Sequence, residues 1–232
     1  MRFFRAVNLP TVPGDVFSGA AVASCGTSAI LGFKGVTTAA AAGVLLYMFG
    51  LADNDIVGAA TDTDRPIPQG LISLRAARIA RTLCILGAIS LALVTRLHGA
   101  WWSTAFALAI VIATYNRTKI PVLMGLCRGL NLVCGFLAAY DHIPANMRTA
   151  IIATFIWTAY IAGVTKYSEG EELDPARKRR VGLLIGALVW LQIAATLFPA
   201  LIFGEWTLLI AQLVMIVLLF LFKSLMPKVS AS

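Results

Sequence analysis

Apolar residues run along this chain in eight stretches, near Val12–Phe33, Val36–Ala52, Ala76–Leu97, Ala100–Tyr115, Pro121–Tyr140, Ala145–Thr165, Val181–Phe203 and Trp206–Met226. None alternates apolar and polar residues as a barrel strand facing lipid on one side must. A spanning helix needs about 20 predominantly apolar residues, and in lipid its backbone groups must pair within the segment. The pattern therefore predicts a bundle of about eight transmembrane helices. The fourth is short, and the second has room to continue as helix into the polar residues after it. Most links are short, which predicts antiparallel neighbours. Two links are long and charged, Asp53–Arg75 and Lys166–Arg180.

Composition sharpens this picture. The 232 residues are 59% hydrophobic and 13% charged, with a mean hydropathy of +0.84. A soluble domain has no use for that much apolar surface. The expectation is an all-α integral membrane protein, one domain over residues 1–232, with the lipid bilayer as its surroundings.

The charged residues orient the bundle. With the N-terminus in the cytoplasm, 15 of the 19 Lys and Arg residues fall on the inner side. Lys34, Arg96 and Arg148 fall outside, and Arg128 lies within a helix. Cytoplasmic loops carry the excess of Lys and Arg, so both termini and both long links are expected in the cytoplasm, at the inner membrane. The net charge of +8 is then a topology signal, and no nucleic-acid partner is expected. "VASC" at Val22–Cys25 resembles a lipoprotein cleavage box, but Pro10, Pro13 and Asp15 interrupt the apolar run that a signal peptide requires. The four cysteines, Cys25, Cys84, Cys127 and Cys134, read as small helix hydrophobes without metal spacing.

Eight of the eleven acidic residues sit in the two long links. Asp53, Asp55, Asp62 and Asp64 follow the second segment; Glu169, Glu171, Glu172 and Asp174 follow the sixth. Two acidic clusters on one side, carried by different helices, point to a shared cation site. Mg²⁺ takes oxygen ligands and commonly binds through one or two carboxylates plus substrate phosphates. If the second helix continues, Asn54, Gly58 and Asp62 share one face, and Asp55 lies nearly in line with Asp62. The basic residues nearby, Arg65, Arg117, Lys119 and Lys166, are suited to phosphate charge. The plainer alternative is that these acids and bases pair in a solvated loop.

The motifs resemble those of a known family. "NDIVGAATD" followed by "RPIPQGLIS" is similar to the first aspartate-rich motif of the UbiA superfamily of membrane prenyltransferases, N-D-x-x-D-x-x-x-D with a later R-P-x-x-x-G-x-I-S. "YNRTK" at Tyr115–Lys119 resembles its Y-x-x-x-K, "YSEGE" at Tyr167–Glu171 its second acidic motif, D-x-E-G-D, and "RAVNLPTVPGD" its first-helix lead-in. The resemblance implies an all-helical fold around a lateral cavity. It implies transfer of a prenyl chain from an allylic prenyl diphosphate to a hydrophobic acceptor, often aromatic, with Mg²⁺ holding the diphosphate. The metal ligands it implies are Asn54, Asp55, Asp62, Glu169 and Glu171, and the catalytic centre is expected to hold Asp55, Asp62 and Lys119 together with Arg128, whose place rests on its charge within a helix. Arg65, Tyr115, Arg117, Asn131 and Lys166 join Asn54 in binding substrate. The sequence also departs from the pattern. Gly58 stands where the first motif has its central aspartate, and Tyr167 where the second has its leading one. About four residues before Arg65 are missing, so Asp64 has no counterpart. A carrier of prenylated or aromatic metabolites that has lost turnover is the alternative function.

Arg128 and Asn131 lie within the fifth segment, three apart. A charge at membrane depth faces the protein interior or a wet cavity, so both are expected at the active cavity; the alternative is a structural interhelical bond. Gly125, Gly129 and Gly135 read as close packing. Trp157 is a candidate for the prenyl channel, and Trp101 and Trp102 for interfacial anchors.

Overall fold

The computed structural model describes residues 9, 11–25, 32–63, 65–140, 147–170, 174–204 and 206–225. Eight helices account for most of them: α1 (Thr11–Ser24), α2 (Phe33–Gly58), α3 (Leu74–Thr95), α4 (Gly99–Thr118), α5 (Pro121–Ala138), α6 (Arg148–Ser168), α7 (Pro175–Phe203) and α8 (Trp206–Leu225). Among the described residues, five helices, α2, α3, α5, α6 and α7, are long and apolar enough to cross a membrane. Their outward faces are apolar. Leu83, Leu93 and Val94 of α3, and Ile151, Phe155 and Ile156 of α6, are exposed, as lipid-facing side chains are. This is a multi-pass membrane protein.

The helices follow the hydrophobic stretches, with three corrections. The first stretch does not continue to Phe33 as one helix: α1 ends at Ser24, and α2 begins at Phe33 rather than Val36. The second helix runs through the first aspartates, but it stops at Gly58, so no continuous helix carries Asp62. The second long link is shorter than expected, lying between Ser168 and Pro175. Asp174 caps α7, its carboxylate accepting from the Ala176 and Arg177 amides at 2.9 and 3.2 Å. The basic run 177–180 therefore lies in the first turns of a helix, where Pro175 supplies a compatible first residue.

The fifth helix is the pillar of the bundle, packing against α1, α2, α4 and α6. Small residues make this possible. A Cβ at Gly125 would stand 2.2 Å from the Thr158 carbonyl oxygen of α6, and one at Gly135 would stand 2.0 Å from the Val16 carbonyl oxygen of α1. From the other side, a Cβ at Gly19 would meet the Leu132 carbonyl oxygen at 1.9 Å. Only helices without side chains at these points approach so closely. Trp101 is buried in this core, edge-on to Trp102 with centroids 5.7 Å apart. Its role is packing rather than interfacial anchoring. Cys127 and Cys134 are buried as expected, but Cys25 lies in the turn after α1 and is exposed.

Candidate active site

The spacing of acidic residues at the C-terminal end of α2 sends its carboxylates to different neighbours. Asp53 points to the side of α3 and α4. Its carboxylate takes Arg81 Nη1 at 3.1 Å and Asn116 Nδ2 at 3.0 Å, with Arg117 Nη1 at 3.7 Å. It is buried, and it ties three helices together. Arg117, expected at substrate phosphate, is spent here and on the Ala113 carbonyl.

Asp55, two residues on, faces Arg65. The Arg65 guanidinium reaches Asp55 Oδ1 at 3.2 Å through Nη1, Asp62 Oδ2 at 2.9 Å through Nε, and the Asn54 carbonyl at 2.7 Å through Nη1. Tight turns after Gly58 bring it there: the Asp62 amide donates to the Gly58 carbonyl and the Arg65 amide to the Asp62 carbonyl. Lys119 Nζ donates to Asn54 Oδ1. Lys119 ends α4 in the left-handed region, φ 57°, and its ammonium lies 5.3 Å from the Tyr115 ring centroid.

A cavity of about 280 Å³ opens beside this group, between α2, α4 and α5. Leu46, Leu51, Leu108, Ile112 and Met124 give it an apolar wall; Asn54, Arg65, Tyr115, Lys119, Arg128 and Asn131 supply polar groups. Six of the residues singled out from the sequence thus share one cavity. Asp55 and Asp62 pair with Arg65 but, like Arg117, Lys166 and Glu169, are not among the lining residues. Among the described residues, the lining holds three cationic side chains and no carboxylate. Tyr47 also lines it, and no motif in the sequence marks it.

Arg128 and Asn131 line the cavity, yet their bonds run to α1. Arg128 Nε lies 2.8 Å from Asp15 Oδ2, and Nη2 donates to Asp15 Oδ1 at 3.0 Å and to the Thr11 carbonyl at 2.7 Å. Asn131 Nδ2 donates to the Val12 carbonyl at 2.8 Å. Trp157 Nε1 at 2.9 Å and Gln192 Nε2 at 2.8 Å complete the shell of Asp15, which is fully buried. Arg128 and Asn131 thus make the structural interhelical bonds while also facing the cavity, and Trp157 is a ligand of Asp15 rather than a cavity wall. Asp15 was the partner the sequence left unassigned. The signal was present: two opposite charges in apolar segments must find one another.

The second acidic motif contributes less. Glu169 accepts from Lys166 at 2.7 Å in an exposed pair, and Arg177 Cζ lies over the Tyr167 ring, 5.7 Å from the ring centroid. Glu171 and Asp64 lie outside the described residues. Among the described residues, no three His, Cys, Asp or Glu side chains converge as a metal site. The expected Mg²⁺ ligand set is therefore not assembled by them.

No family model matches the chain. Over 121 residues it is 33% identical to the 4-hydroxybenzoate octaprenyltransferase of Yersinia enterocolitica, an alignment covering 50% of this chain and 41% of that relative. The chain thus matches less than half the length of this curated relative. Among solved structures, a UbiA homolog from Archaeoglobus fulgidus superposes with a TM-score of 0.57 at 12% identity, over 96% of this chain and 85% of that one. The chain has the UbiA fold. The same homolog bound to GPP and Mg²⁺ superposes at 0.57, with 12% identity over 96% of this chain and 86% of that one. A digeranylgeranylglyceryl phosphate synthase superposes at 0.55, with 16% identity over 97% and 88%. The UbiA resemblance read from the motifs is thus supported by sequence and by fold, and the departures at Gly58 and Tyr167 are local changes within that fold.

Proposed function

We propose that this UbiA-fold protein binds an allylic prenyl diphosphate in the cavity between α2, α4 and α5 and transfers the prenyl chain to a hydrophobic acceptor, aromatic or lipid-like. The observation that carries this reading is the cavity lining: an apolar wall joined to Arg65, Lys119 and Arg128, with no carboxylate among the described lining residues. An amphiphilic anion fits such a wall, because its charge meets cations and its chain meets hydrocarbon. The solved UbiA homolog bound to GPP and Mg²⁺ supports the choice of anion.

The chemistry follows from charge. The bond between the allylic carbon and the diphosphate oxygen breaks heterolytically, leaving an allylic cation and a diphosphate. Arg65 and Lys119 hold the departing charge, which is the largest contribution such preorganised groups make. The acceptor's nucleophilic atom then forms the new bond to the allylic carbon and releases a proton. Tyr115 lies beside Lys119 at the same wall.

The test is incubation of the detergent-purified protein with geranyl diphosphate and 4-hydroxybenzoate or a glycerol-phosphate lipid, following diphosphate release and a prenylated product. Failure of geranyl diphosphate to bind defeats the proposal. A carrier is the second reading, favoured by the carboxylates absent at Gly58 and Tyr167. It requires tight binding with no diphosphate release.

A further inference from the structure

At Gly58 the resemblance to the first UbiA motif lacks its central aspartate, and the structure shows what fills the space. A Cβ built there would lie 2.3 Å from Arg65 Nε and 2.4 Å from Arg65 Cζ. The guanidinium lies directly against the α2 backbone at that position, so no side chain at residue 58 coexists with it. From there it pairs with Asp55 and Asp62 at once. The turns between Gly58 and Arg65 are tight enough to fold Arg65 back over the end of its own helix, which the shortened stretch before the Arg-Pro permits. Two departures from the family pattern thus have one result: a cation from the chain itself lies between the carboxylates that the pattern offers to a metal.

We propose that Arg65 is a built-in substitute for a divalent ion, so that this protein holds the diphosphate of its allylic substrate without Mg²⁺. The inference rests on the prenyl-diphosphate reading above. Two physical points support it. A hard divalent ion needs several oxygen ligands in near-fixed geometry, whereas here both carboxylates of the first motif already bond a guanidinium through charge-assisted contacts. Arg65 also faces the cavity, and its contacts with Asp55, Asp62 and Asn54 use Nε and Nη1. Nη2 takes part in none of them, and a guanidinium fork is matched to a phosphate.

Two measurements on the full-length protein in detergent decide it. In the first, geranyl diphosphate is titrated calorimetrically in EDTA and in Mg²⁺. The wild type is expected to bind with affinities within about threefold of each other, while Arg65→Gln loses about tenfold or more in EDTA, the worth of a hydrogen bond to a charged group. In the second, Mn²⁺ alone is titrated and followed by electron paramagnetic resonance. The wild type is expected to bind none specifically, and Gly58→Asp, which expels the guanidinium and adds a carboxylate, is expected to bind it. If Gly58→Asp does not fold, Arg65→Gln vacates the same space without added bulk and takes its place. Wild-type Mn²⁺ binding that disappears in Asp62→Ala overturns the inference, as does geranyl diphosphate binding that EDTA abolishes and Mg²⁺ restores. No geranyl diphosphate binding in either buffer defeats the substrate reading instead, and the Mn²⁺ titration still decides whether Arg65 holds the metal position.

Discussion

Arg128 of α5 and Asp15 of α1 form an ion pair of 2.8 Å in the middle of the bundle, with Asp15 fully buried. Removing one member of a buried pair leaves the other charge without compensation, at a cost of about 3–5 kcal/mol. Asp15→Ala and Arg128→Ala should therefore each lower the thermal stability of the detergent-solubilised protein sharply. The double variant Asp15→Leu with Arg128→Met should be more stable than either. Thermal unfolding followed by intrinsic fluorescence checks this; a double variant that loses the sum of both singles would show that the pair is not coupled.

The contact between α1 and α5 depends on absent side chains. Gly19→Ala or Gly135→Ala would place a methyl group within about 2 Å of a facing carbonyl oxygen. Overpacking of this kind costs about 1–3 kcal/mol. At Gly163 and Gly186 an added methyl group would meet nothing within 4 Å. Alanine at those two helical sites should be neutral or stabilising by up to about 1 kcal/mol, the difference in helix propensity. A common melting experiment on the four variants separates the two groups.

Asp53 is a structural carboxylate. It is buried, and it joins α2 to Arg81 of α3 and Asn116 of α4. Asp53→Ala strands those donors, which costs about 1–3 kcal/mol. Asp53 does not line the cavity, so the fraction that remains folded should bind geranyl diphosphate with nearly unchanged affinity. Melting and calorimetry on the same preparation test both halves.

Lys119 should behave in the opposite way. It is exposed, it lines the cavity, and its backbone is left-handed at φ 57°. Lys119→Gly removes the ammonium and relieves the backbone. Stability should hold or rise, while geranyl diphosphate affinity falls about 10- to 100-fold, the range for a hydrogen bond to a charged group. Retained affinity would remove Lys119 from the diphosphate site.

The side of the membrane on which the aspartate end of α2 lies is open to a direct test. We propose, from the Lys and Arg distribution, that this end faces the cytoplasm. A Thr63→Cys probe, in a background carrying Cys25→Ala, should react with a membrane-impermeant maleimide only after the inner face is exposed. Labelling from the periplasmic side of intact cells would reverse the orientation.

The sequence by itself determined the all-helical, membrane-spanning character, the approximate position of each helix, and the family resemblance. Each of these is written locally. Hydrophobic runs set the helices, and the spacing of Asn54, Asp55, Arg65 and Tyr115 to Lys119 is read directly from the chain. The glycines of the fifth helix likewise announced close packing, and the structure shows α6 and α1 at those points. What only the tertiary structure decided was the choice of partner. Arg128 had several acids available, and its pairing with Asp15 follows from α1 lying against α5. Asp53, Asp55 and Asp62 look alike as letters, yet one braces three helices while the other two hold Arg65. A charge in a low-dielectric interior takes the opposite charge that packing brings nearest, and that proximity is a property of the assembled helices rather than of any one segment.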